Sequence, residues 1–322
     1  MLEKLKNIFL QPLSFPHTNT RLIRGINEGN VLVLMLHRVL PKNQKSKFWM
    51  NNDLEVTPDF LEAAIILAKE NGFNPISFDE LIGTELRAKE KYILFSFDDG
   101  YKDNLTNALP IFEKHKVPFC IYCTTKIIDH DFIFWWYELE NLILSCEVLN
   151  TAHNGRLKTY ECHEFDVKQH LFLKLREEAI LLDERQRQEF LAKLFELNDR
   201  IMGFGTKDIS LSWQDLQSLS RHPLVSIGAH TVNHLSLADL SPEQAFAEML
   251  DSKEIIEDKI SSEVKHFCYP FGSHSNADKR EYGLAKRAGY ASATTTIEDL
   301  YSVNSEYTVS YTHLTLPTTE RV

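Results

Sequence analysis

A parallel α/β barrel is the fold class this sequence predicts. Short apolar runs bounded by turn residues alternate with amphipathic helical stretches, the signature of strand–helix units. Three of those runs lead directly into loops carrying Asp, His, Tyr and Pro, and in such barrels the loops after the strands carry the site. A composition of 43% hydrophobic and 25% charged residues over 322 positions is ordinary for a soluble globular chain with a full core.

The strand candidates are Val31–Leu36, Ile93–Phe97, Phe119–Cys123, Leu224–Ala229, His266–Pro270 and Tyr290–Ala293. Between them, Pro58–Asn71 sets Phe60, Ala64, Ile65 and Ala68 at helical spacing, and Ser241–Ser262 reads as a second long helix. After Trp135 the rhythm breaks. Tyr137–Ile143 and Gln169–Met202 read as amphipathic helices dense in Leu, Lys and Glu, so residues 137–206 are expected to form a helical insertion. It could be a lid or a glycan-recognition arm, and its charge reads as a solvated face. Cys120 and Cys123 form a C-x-x-C pattern, but three positions apart on a strand they face opposite ways and are expected to pack in the core. Five cysteines, an odd number, suit a reducing compartment.

The chemistry begins at Phe97-Asp98-Asp99-Gly100-Tyr101, which puts two adjacent carboxylates at a strand tip. Neighbouring side chains on a strand point to opposite faces, so the pair cannot simply share the solvent. Close like charges raise at least one pKa unless a cation shares them. A base beside a metal ligand fits this pattern; a polar turn with an Asp capping the next helix is the competing reading. His230 and His234 follow the run Leu224–Ile227, and on a helical turn the two would share a face near enough for one metal. With 13 His in the chain, roughly 0.5 such pairs arise by chance, so the spacing alone is weak. An Asp with two His is a common open metal site that leaves room for water.

The third loop is Phe267-Cys268-Tyr269-Pro270-Phe271-Gly272. Asp-Asp, His-x3-His and Tyr-Pro-Phe-Gly in this order resemble the polysaccharide deacetylases of carbohydrate esterase family 4. The likeness includes Val31–Val39, the Ala108–Phe112 segment and the closing Ala288-Gly289-Tyr290. It implies a distorted (β/α)7 barrel of the polysaccharide deacetylase type over residues 30–136 and 207–308, with 137–206 inserted and 1–29 as an N-terminal helical extension. It implies a hydrolase that removes N-acetyl groups from hexosamine units of a glycan, free or lipid-linked. Asp99, His230 and His234 would hold a divalent metal, Zn²⁺ ahead of Co²⁺, Ni²⁺ or Mn²⁺. Asp98 would be the general base, and the Phe271 backbone N–H an oxyanion donor. His37 is an expected neighbour of the catalytic groups, and Tyr101, Tyr269, Pro270 and Trp135 are expected to wall the sugar pocket. For Trp135 a hinge against the insertion is the competing reading.

Two departures stand out. The family's usual Arg, which pairs with the base, is Cys268 here, and Arg38 is a candidate substitute charge. A late Leu-x-His motif, whose His acts as general acid, does not occur before Thr308. A catalytically impaired metal- or glycan-binding relative is therefore the alternative. An aspartyl phosphotransferase ranks last, because its pattern needs an Asp where Gly100 stands.

A net charge of −11 argues against a nucleic-acid partner, and no stretch approaches the roughly 18 apolar residues of a membrane span. Ile8-Phe9-Leu10 is too short for a secretory h-region, so a cytoplasmic location is expected. Leu2, Leu5, Ile8 and Phe9 fall at helical spacing, which suits docking on the barrel or, as the sharper alternative, on a membrane surface. Val309–Thr318 reads as the in-frame translation of a transposon-type sequencing adaptor, so 309–322 is expected not to be native, and His313 is not taken as the late His.

Overall fold

The computed structural model describes residues 31–297, apart from 84–85, 88–89, 154–155 and 204, together with the backbone of Thr308–Ser310 and Thr312–His313. The expected extension over 1–29 lies outside the described residues. Contacts gather the chain into two compact units. One holds the described residues up to Gln44, Leu54–Asp131 and those from Lys207 on; the other holds Lys45–Asp53 and Phe132–Thr206.

The first unit is built on six parallel strands: β1 (Val31–Leu36), β2 (Lys91–Phe97), β3 (Phe119–Cys123), β4 (Val225–Ala229), β5 (His266–Cys268) and β6 (Ser292–Thr295). Successive strands are neighbours from β1 through β6, as in a curled barrel sheet. All six residues of β1 are buried, the continuous apolar run expected where a parallel sheet is covered on both faces. On one face, Val31, Val33, Met35, Tyr92, Leu94, Cys120, Tyr122 and Cys268 form a single cluster with Phe78 and Leu81. On the other, Phe112 lies 4.3 Å from Phe119 and 5.4 Å from Phe95, ring centroid to centroid. Phe112 belongs to the helix Leu109–His115, which continues a π-helical turn over Asn104–Ala108.

The helices start where their caps dictate. Thr57 accepts from the Phe60 N–H ahead of Pro58–Glu70, and Ser241 with Gln244 makes a reciprocal capping box before Pro242–Ile260. Five strand boundaries differ from the sequence expectation, since β2 starts at Lys91, β4 at Val225 and β6 runs on to Thr295, and the other two have a visible cause. β5 stops at Cys268 because Pro270 has no N–H to continue the ladder. β6 starts at Ser292 because Tyr290 still closes the preceding helix, its N–H bonding the Ala285 carbonyl at 3.2 Å. At the sheet's two edges, Thr308–Ser310 pairs parallel with β6 and Thr312–His313 with β1. Open strand edges offer unpaired N–H and C=O groups to any β-prone Val/Thr segment, so this pairing carries no information about the segment's origin.

The second unit is mainly helical, with Trp135–Ser145, Phe165–Ile180 and Glu184–Glu196 packed around Leu139, Leu142, Phe172, Leu175 and Leu194. It departs from the expected insertion in two ways. An antiparallel hairpin pairs Val148–His153 with Arg156–Glu161, and Lys45–Asp53 joins the unit from far earlier in the chain. Phe48 explains the second. It is fully buried, 4.7 Å from Phe172, while Glu140 accepts from the Lys47 N–H at 2.6 Å and from Asn51 Nδ2 at 2.7 Å. Among the described residues, no helix is long and apolar enough to cross a membrane.

Phe48 therefore carries a testable load. Phe48→Ala should cost about 3–5 kcal/mol, the usual price of an emptied aromatic core position. Guanidinium unfolding followed by far-UV circular dichroism should show it as an earlier transition; an unchanged midpoint would contradict this packing.

Candidate active site

The β2 ladder ends where Asp98 donates its N–H to the Leu36 carbonyl at 3.0 Å. The chain then turns sharply, with Asp99 at φ 74° and Gly100 at φ 88°. A Cβ on residue 100 would sit 2.8 Å from Ile128 Cδ1, so both conformation and space demand glycine there. The following loop is pinned by Leu211 N–H to Gly100 O at 2.9 Å and Lys102 N–H to Ile209 O at 2.7 Å. Both carboxylates end up 3% exposed.

His230 follows β4 and donates Nδ1–H to the Cys268 carbonyl at 2.8 Å. A carbonyl only accepts, so this bond places the proton on Nδ1 and leaves the Nε2 lone pair pointing elsewhere. His234 does not share a helical turn with it, contrary to the sequence expectation. Thr231 and His234 are both left-handed, at φ 67° and 54°. The Thr231 hydroxyl accepts the His234 N–H at 3.0 Å, and Glu248 accepts from the Val232 and Asn233 N–H groups at 3.0 and 2.9 Å. A β-branched residue in the left-handed region is strained, and such strain persists where the surroundings enforce it.

The three side chains converge. Asp99 Oδ1 lies 3.3 Å from His234 Nε2 and 3.6 Å from His230 Nε2. Atoms about 2.1 Å from one ion, at tetrahedral or octahedral angles, stand about 3.0–3.4 Å apart. Asp99 Oδ1 is buried and makes no hydrogen bond of good geometry despite these neighbours. A lone pair of neutral His230 facing a carboxylate oxygen is repulsive unless a cation lies between them, so the donor set fits a divalent metal.

The electrostatics agree. Burial, then His234, lowers the His230 imidazole to about 3, which keeps it neutral. Burial pushes the Asp99 carboxyl up, but His234, then His37 and His230, more than offset it and hold it below the ordinary carboxylate range. Asp98 goes the other way: burial and then the Asp99 charge raise it well above that range, against a smaller opposing pull from the Cys268 thiol. Two adjacent carboxylates are thus driven apart, Asp99 lowered and Asp98 raised.

The remaining expected site residues divide. His37, half-buried at the end of β1, is close enough to act electrostatically on Asp99 and His230. Its carbonyl accepts from Asn104 Nδ2 at 2.9 Å. Phe271 packs against His234 at 5.0 Å between ring centroids, with φ 61° and its carbonyl held by the Thr296 hydroxyl at 2.9 Å. Tyr101 and Tyr269, expected to face a sugar, are each 1% exposed. The Tyr101 ring lies under the Arg38 guanidinium, and the Tyr269 hydroxyl reaches the Glu281 carbonyl, so both rings are spent on internal packing. Pro270 is also buried. Trp135 belongs to the helical unit, 3% exposed beneath the Arg187 guanidinium and against Trp136. Arg38 does not serve the two carboxylates of the tip; its Nε donates to Asp103 at 2.9 Å. Neither that pair nor the bond from Cys268 Sγ to Asp98 Oδ2 at 3.4 Å is visible in the spacing of residues 65 and 170 positions apart. Cys120 and Cys123 are buried within β3, as their strand spacing suggests.

Fold and site together define an α/β barrel with an Asp-His-His cluster and a second carboxylate at the carboxyl ends of its strands. The Polysaccharide deacetylase family profile matches residues 85–293, and the chain belongs to that family. The curated relative YxkH of Bacillus subtilis (strain 168), a polysaccharide deacetylase by name, is 22% identical over 248 residues. That match covers 76% of this chain and 60% of the relative's length. The Streptococcus pyogenes deacetylase PplD, solved with acetate, shares the fold at TM-score 0.55 and 18% identity, over 88% of this chain and 91% of its own. BC0361, a polysaccharide deacetylase from Bacillus cereus, shares it at TM-score 0.53 and 20% identity, over 89% and 66%.

The donor set predicts one divalent ion per chain. Zn²⁺ at about one hundred times its Kd should raise stability by about 2.7 kcal/mol, read as a higher Tm. Asp99→Ala and His234→Ala should lose both the shift and the bound metal measured by elemental analysis. A wild-type Tm indifferent to Zn²⁺, Co²⁺, Ni²⁺ and Mn²⁺ would rule the site out.

Proposed function

We propose that this chain is a metal-dependent glycan deacetylase that hydrolyses the acetamido group of hexosamine units such as N-acetylglucosamine. The observation that carries this reading is the division of labour between two neighbours. Asp99 Oδ1 lies 3.3 and 3.6 Å from two imidazole nitrogens, while Asp98, equally buried, makes no ion pair with either among the described residues and has an oxygen within 4.8 Å of one His230 nitrogen and of Cys268 Sγ. Family membership supports the acyl-transfer class and the glycan; the geometry is what the proposed roles rest on.

Asp99, His230 and His234 would hold the ion, with two nitrogens and one oxygen suiting Zn²⁺ ahead of Co²⁺, Ni²⁺ or Mn²⁺. When bound, the ion supplies Lewis acidity toward an acyl oxygen and makes water easier to deprotonate. Asp98 takes the proton of the attacking water, and its raised basicity suits that task. Its Oδ1, buried and without a hydrogen-bond partner, is the atom assigned to the proton. The Phe271 amide, in a turn set by its left-handed φ, is assigned to the developing oxyanion. His37, half-buried beyond the end of β1, is a neighbour of these groups that acts electrostatically on Asp99.

Acetate release from an N-acetylglucosamine oligomer should require the divalent ion. Asp98→Asn should lower turnover by about 10²–10⁴-fold and keep the metal. His230→Ala should lose both. Wild-type turnover in Asp98→Asn would overturn the assigned roles.

A further inference from the structure

We propose that the Cys268 thiol is the positioning donor for the base: its hydrogen bond holds one oxygen of Asp98 and leaves the other directed at water. The inference rests on the hydrolase reading above. Cys268 Sγ donates to Asp98 Oδ2 at 3.4 Å, a normal distance for sulfur, and the two residues are 1% and 3% exposed. Among the described residues this is the one side-chain hydrogen bond that reaches the Asp98 carboxylate, whose Oδ1 has none.

Residue 268 acts at two points. Its side chain holds Asp98, while its carbonyl accepts from His230 Nδ1 at 2.8 Å. One strand-end residue therefore sets the base and a metal ligand in a common frame, and any slip of β5 would move both. The thiol sits in the apolar cluster of Val33, Met35, Leu94, Cys120 and Tyr122. A small neutral donor can be buried there without the desolvation cost of an ion. A guanidinium would grip a carboxylate by both oxygens, whereas a thiol engages a single oxygen.

The test compares Cys268→Ala with Cys268→Ser in the full chain, using acetate release from the N-acetylglucosamine oligomer. Cys268→Ala should lower kcat about tenfold, the worth of one hydrogen bond, with KM and bound metal at wild-type values. Cys268→Ser keeps a donor and should recover most of that loss. Cys268→Ala within twofold of wild type, or Cys268→Ser no faster than Cys268→Ala, would overturn the proposal. So would loss of metal in Cys268→Ala, which would place residue 268 in the ligand set's support rather than the base's. An active Asp98→Asn would remove the base and this proposal together; an inactive Asp98→Asn beside an indifferent Cys268→Ala would remove the proposal alone.

Discussion

The site is organised around a buried meeting of a carboxylate oxygen with two imidazole nitrogens, a donor set that a shared cation would suit. His230 has its proton committed to the Cys268 carbonyl, so its Nε2 lone pair faces a carboxylate oxygen 3.6 Å away. Protonating the ring would remove the conflict, but burial holds His230 near 3. Protonating Asp99 would also remove it, but the imidazoles hold that carboxyl low. Each escape by proton uptake is closed by the groups that create the conflict, and a divalent ion remains as the partner all three can share.

The surrounding chain accepts strain to keep this arrangement. Asp99, Thr231, His234 and Phe271 all have positive φ, half of the eight such non-glycine residues described. Left-handed backbone costs about 1–3 kcal/mol per residue where the side chain is unsuited, and here hydrogen bonds from Thr231, Glu248 and Thr296 hold the turns in place. The π-helical turn after the acidic loop belongs to the same scaffold. It places Asp103 to receive both Arg38 Nε and the Val39 N–H, and Asn104 to hold the His37 carbonyl. Strand ends converge because the sheet is parallel; the loops hold their shape because side chains tie them to neighbouring strands.

What the sequence made legible was local. Apolar runs marked the strands, and the doubled Asp, the spaced His and the Tyr-Pro-Phe-Gly turn marked the site. The errors arose where distant residues decide. The His pair suggested a helical turn because spacing says nothing of a Thr hydroxyl that captures the next N–H. Phe48 stands among lysines and polar residues, and its helical partner Glu140 is 92 positions away, with Phe172 farther still. The hairpin after Ser145 was overlooked although Asn154-Gly155, a strong two-residue turn signal, lies between its strands. Tyr101 and Tyr269 look like sugar-facing rings by composition, and only burial shows that they serve the core.

Charge balance explains why a thiol can stand where a cation might be expected. Arg38, the nearby guanidinium, is matched by Asp103 and so brings no free positive charge to the cluster. Cys268 adds no charge to the cluster, whereas a cation at position 268 would add a buried one amid Val33, Met35 and Tyr122. Neutrality and a single-point grip come together: among the described residues no salt bridge reaches Asp98, and the proposed hold on its orientation is the thiol of Cys268, whose backbone carbonyl also carries the His230 contact.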